Sequence, residues 1–188
     1  MAGAPHDQHN TGASWGKLAA MVGLSTVLMF VFMYQLVYEA DHLFFSLNRF
    51  LASLLMACVM TLVMLGFMWP MYKGTTAKIA VVVVAALAGA ALLATNRGQL
   101  LVGDTEFMEA MIPHHSIAIN NARKADIRDP RVRRLADKII EAQVREIEEM
   151  KILIADIDRN GKRGDTRLPP IAAQVTPEMR PEIARAVR

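Results

Sequence analysis

The run from Glu106 to His115, Glu-Phe-Met-Glu-Ala-Met-Ile-Pro-His-His, places two thioethers and two imidazoles within a few helical turns of one another. Thioether sulfur is a soft ligand and imidazole a versatile one. Together they favour Cu(I), because hard cations bind sulfur poorly and zinc sites rarely use methionine. Pro113 stands between the potential ligands Met108, Met111, His114 and His115. A proline inside a helix costs about 3 kcal/mol or more and frees a carbonyl one turn back, which is the mark of a bent site. The competing reading of methionines on a helical stripe is packing. Adjacent histidines argue against packing alone, since neighbouring positions on a helix point about 100° apart and cannot both serve one core.

These residues need a helix to align them, and the sequence provides two. From Asp104, which is suited to cap, Phe107, Met108, Met111, His114, His115, Ala118, Ala122 and Ala125 recur at three- and four-residue steps. Asp129-Pro130 then supplies a cap and a first-turn proline for a second helix, striped by Val132, Leu135, Ile139, Gln143, Glu146, Ile147, Met150 and Ile154 and ending near Asn160-Gly161. Helices joined by a short turn lie antiparallel. Counting outward from Ile127 brings His115 level with Ile139 and Gln143, and Met108 and Met111 level with Gln143, Glu146, Ile147 and Met150. The sulfur-bearing and polar members of both stripes thereby converge. Glu146 or Gln143 is placed to orient an imidazole from behind. A lone hairpin buries little, so two chains are expected to pair into a four-helix bundle.

The remaining sequence explains where this hairpin is held. The long apolar runs fall before Arg97 and most of the charge after it. Leu18–Tyr38, Phe50–Pro70 and roughly residues 79–94 are apolar enough to cross a bilayer, whose hydrocarbon core of about 30 Å takes about 20 residues of helix. The third run is the shortest of these. Lys17, Lys73 and Lys78 outnumber Arg49 and Arg97 on the opposite flanks. This puts the N-terminus in the cytoplasm and the hairpin outside, in the periplasm if the bilayer is a bacterial inner membrane. The net charge of +3 is too mild for a nucleic-acid surface. Cys58 is the only cysteine and lies within an apolar run, so no disulfide or thiolate zinc site forms within one chain.

The expected fold is all-α: three transmembrane helices plus an extracytoplasmic antiparallel helical hairpin completed by dimerisation. Its parts are a disordered leader over 1–16, a three-span domain over 17–96, a metal-binding hairpin over 97–160 and a Pro/Arg-rich tail over 161–188 with a short helix from Thr176. His6 and His9 lie in the leader and are assigned no role. Met56, Met60, Met64 and Met68, spaced by four, form a ladder on the second span, read chiefly as packing. Asp41-His42, at the outer end of the first span, reads as an interfacial polar pair in preference to an entry ligand.

Asp104, Phe107, Met108, Met111-Ile-Pro-His114-His115, Ala118, Ile119, Ile139-Ile140, Gln143, Glu146-Ile147 and Met150 together resemble the domain of unknown function 305 family. Met33-Tyr34, Tyr38, Asp41-His42-Leu43 and Arg49 are similar to its membrane-anchored members. The resemblance implies a ferritin-like helical fold, a periplasmic copper-binding role, and copper ligands at Met111, His114, His115 and Met150. Ser116 departs from it, standing where glutamine is common. The hairpin carries no Glu-x-x-His, the one instance of it in the chain being Glu39 to His42, which argues against di-iron chemistry in the hairpin, and no nucleophile elbow is present, so the chain is read as a binding protein and not as an enzyme. Its expected partners are the lipid bilayer, a metal ion (copper, as Cu(I)) and a second copy of the chain. The alternative is a structural, oligomerising module with no metal.

Overall fold

The computed structural model describes residues 14–187, which contain six α-helices and no strand. Residues 1–13 of the leader, with His6 and His9, lie outside the described residues. Trp15 and Gly16, expected to be disordered, already belong to the first helix. The chain divides into two compact units: Leu47–Leu101 with the stretch ending at Met33, and Tyr34–Ser46 with the stretch beginning at Val102.

The first unit holds α1 (Trp15–Phe32), α2 (Leu47–Phe67) and α3 (Thr75–Gly98), each long and apolar enough to cross a membrane. Much of their apolar surface is exposed. In water that surface would be costly, at about 25 cal/mol for each Å², so these helices suit lipid. Leu18, Leu65 and Tyr72 form a buried cluster, with Trp15 tilted against the Tyr72 ring at 4.8 Å between centroids. Met64 and Met68 pack on that cluster, which gives this part of the methionine ladder a packing role. Gly89 lets α3 approach α2, since a Cβ there would stand 3.3 Å from that of Cys58. Lys78, buried at the start of α3, donates from Nζ to the Trp69 carbonyl at 3.2 Å and lies over the Trp69 ring.

The first span ends six residues before the expected Tyr38, because Tyr34–Ser46 belongs to the other unit. The apolar run continues, but its backbone finds other partners. The Tyr38 N–H donates to Ser116 Oγ at 2.8 Å, and the Ser46 N–H to Tyr34 Oη at 2.9 Å. Tertiary bonding here overrides apolar continuity. α3, by contrast, extends beyond the expected 79–94 at both ends.

The second unit is built on α4 (Asp104–Lys124) and α5 (Pro130–Asn160), an antiparallel pair as expected. Glu106 accepts the Gly103 N–H at 3.0 Å, so the capping residue is Gly103, and Asp104 opens the helix without capping it. At the start of α5, Asp129 accepts the Arg131 N–H at 2.8 Å. Gly161 closes α5 with φ 77°, a left-handed value that favours glycine. The tail is irregular until α6 (Arg180–Ala186), which begins later than the expected Thr176.

The core of this unit is Met108, Ile112, Ile119, Ile147, Met150 and Ile154, with Tyr38 and Phe44 of the intervening segment packed on it. This corrects the stripe expected on α4. The buried line runs Met108, Ile112, Ser116, Ile119, whereas Phe107, His114 and Ala125 are exposed. Moving from 111 and 115 to 112 and 116 turns the helix by about 100°. Val132, Leu135 and Ile139 of the α5 stripe are likewise exposed, and that part of α5 buries Ala136 instead.

Candidate metal centre

The rotation of α4 leaves Met111 and His115 at the edge of the core, half-buried between packed interior and solvent. There they line an open cavity of about 490 Å³, together with Met108, Glu146 and Met150. Five of the six expected ligand residues therefore meet in one place. The sixth, His114, is exposed and outside the cavity lining, with its ring 6.0 Å from that of His115 between centroids.

His115 is fixed at both nitrogens. Nδ1 lies 2.9 Å from the Met111 carbonyl, which can only accept, so Nδ1 carries a proton and donates it. Nε2 points across the cavity to Glu146 Oε2 at 2.8 Å. With Nδ1–H held by a backbone carbonyl, Nε2 is the nitrogen left to serve as ligand atom, and an incoming ion would displace the proton shared between Nε2 and Glu146 Oε2. The carboxylate at Nε2 stands where a cation would be welcome. Gln143 Nε2 reaches the same Glu146 oxygen at 3.5 Å, so the two residues expected to orient an imidazole from behind lie instead on its Nε2 side, and the Met111 carbonyl holds the ring from behind. His115 meets Glu146 one turn beyond the expected Gln143, while the sulfur residues converge as anticipated.

Pro113 is buried within an uninterrupted α4 and contributes no N–H to it. The cavity walls are predominantly apolar. That setting suits a soft, weakly hydrated ion bound by sulfur and imidazole better than a hard, strongly hydrated one.

Sequence reasoning did not foresee the part played by Ser116. Its side chain is wholly buried, and its Oγ accepts the Tyr38 N–H and lies 3.0 Å from His42 Nδ1. Asp41 is tied to α5 through Lys151 Nζ at 2.6 Å, and this hydrogen bond holds its carboxyl below the ordinary carboxylate range. A lowered value means that the tie is present above that range and is lost as pH falls through the Asp41 value. Ser116 and Lys151 thus fasten Tyr34–Ser46 to the hairpin. The departure at position 116 was the available signal, because a small hydroxyl residue inside a helix interior calls for a partner.

The chain also shares sequence with known proteins. A family described as Domain of unknown function (DUF305) matches residues 87–184, more than half of the chain. An uncharacterized protein of Acanthamoeba polyphaga mimivirus is 40% identical over 60 residues, which are 31% of this chain and 40% of that protein. The chain therefore spans less than half the length of that relative. No solved structure matches this chain. With the hairpin and its Met-Ile-Pro-His-His segment inside the matched region, the chain belongs to the DUF305 family.

Proposed function

We propose that this protein is a membrane-anchored copper-binding protein that sequesters or hands over Cu(I) through Met111, His115 and Met150, with Met108 in reserve and Glu146 beside the ligand nitrogen of His115. One observation carries the reading. In a cavity shared with three methionines, His115 has its Nδ1 committed to a backbone carbonyl and its Nε2 directed inward at a carboxylate. His114 then serves as an outer, solvent-facing relay ligand, through which copper passes to or from a partner.

The lysine bias of the span flanks supports an inner-membrane protein with its N-terminus in the cytoplasm and its hairpin in the periplasm. The exposed apolar line of Val132, Leu135 and Ile139 supports pairing with a second copy of the chain.

Titration of the full chain in lipid nanodiscs with Cu(I), in competition with a chromogenic chelator, tests this reading. One tightly held Cu(I) per chain is expected, with the second unit stabilised by about 2.7 kcal/mol when free ion stands at a hundred times Kd. If the chelator retains all the copper, the Cu(I) reading fails and a metal-free oligomerising module replaces it.

A further inference from the structure

His42 sits in a 3-10 turn (Ala40–His42) of the segment fastened to the hairpin, away from the thioether cavity lining. Its residue surface is 8% exposed, yet Nε2 faces two carboxylates: Asp41 Oδ1 at 3.7 Å and Glu39 Oε2 at 3.9 Å. Both distances exceed hydrogen-bond reach. Ligand atoms of Glu39, Asp41 and His42 all lie within 4.8 Å of one another. Around a tetrahedral ion with bonds of about 2.0–2.2 Å, ligand atoms stand about 3.4 Å apart, so small side-chain movements would close the set. The buried imidazole is aimed at a space between two anionic groups.

We propose that Glu39, Asp41 and His42 form a second cation site, selective for a borderline divalent ion of the zinc(II) class, with water completing the coordination. The donor set dictates the class. One nitrogen and two carboxylate oxygens contain no sulfur for Cu(I), and imidazole is a poor ligand for calcium or magnesium.

Two of the three ligands are already held from behind. Ser116 Oγ is placed to accept the Nδ1–H of His42, which leaves Nε2 as the donor atom. Lys151 holds Asp41 by Oδ2 and leaves Oδ1 turned towards His42. The ammonium also repels an incoming cation and lowers affinity, so binding on the order of micromolar, and no tighter, is expected. An ion here ties together the turn that α4 and α5 hold in place. Metal with nitrogen–oxygen preference and metal with sulfur preference thereby occupy separate sites of one unit.

The test is a Zn(II) titration of the full chain in nanodiscs, with a fluorescent zinc chelator as competitor. It is carried out on His115→Ala protein, so that the cavity histidine contributes nothing. One micromolar site per chain is expected. Glu39→Gln, an exposed change that leaves the turn folded, should weaken it at least tenfold, and His42→Ala should remove it. Zinc affinity unchanged in Glu39→Gln and His42→Ala, or no micromolar site in the His115→Ala parent, would overturn the proposal.

Discussion

His115→Ala is expected to weaken Cu(I) binding by more than the roughly 10–100-fold that loss of a supporting outer residue brings, because it deletes a ligand. The same substitution removes one partner of the Glu146 carboxylate, which stays partly exposed and within reach of Gln143, so a small part of the loss is a change in the empty site. Met111→Leu separates the two effects. It keeps the apolar bulk and the backbone carbonyl that holds His115 Nδ1, and removes only sulfur. Chelator competition should show Met111→Leu weakened by about tenfold or more with little change in thermal stability. Unaltered affinity in both variants would show that copper binds elsewhere in the chain.

Ser116→Ala is expected to have the second large effect, on order within the second unit. It leaves the Tyr38 N–H and one nitrogen of the buried His42 without their shared partner, at about 1–3 kcal/mol. Hydrogen exchange at the Tyr38 amide should accelerate by about one to two orders of magnitude, since each 1.4 kcal/mol is tenfold. Exchange should change little at Ile147 on the opposite helix. An unchanged Tyr38 rate would mean that other contacts, such as Lys151 on Asp41 and Arg123 over the Tyr38 ring, hold Tyr34–Ser46.

These two variants mark the boundary of what the sequence discloses. The ends of α5 are legible because their causes are local: Asp129 accepts a hydrogen bond two residues on, and Gly161 adopts a conformation that other residues avoid. The three apolar helices are legible from length and composition. The end of α1 is not, because nothing within Leu18–Tyr38 signals that Tyr38 will bond a serine on α4. That contact is made far along the chain, and periodicity reports only neighbours.

The centre itself was legible through residue type and less so through geometry. Antiparallel counting brought Met108 and Met111 level with Glu146 and Met150, as the cavity has them, but placed His115 one turn from the Glu146 that it meets. The core face was misplaced because Met111 and His115 were taken as its centre, while the more apolar Ile112 and Ile119 mark the true one. A ligand belongs at the margin of a core and seldom at its middle. Placed at that margin, Met111 and His115 stay partly open to solvent while remaining ordered by packing.

Tyr34–Ser46 also changes how the hairpin should be handled. A fragment beginning after α3 would lose Tyr38 and Phe44 from the core and the partners of Ser116 and Lys151. Copper measurements therefore belong on the full chain.

The central claim is that sulfur and imidazole of this cavity hold Cu(I) together. Copper-edge X-ray absorption on the full chain loaded with one equivalent of Cu(I) addresses it most directly. A first shell of sulfur neighbours accompanied by imidazole nitrogen, with the sulfur contribution reduced in Met111→Leu, is the predicted result. A shell of nitrogen and oxygen alone, or a spectrum indifferent to Met111→Leu and His115→Ala, would contradict it.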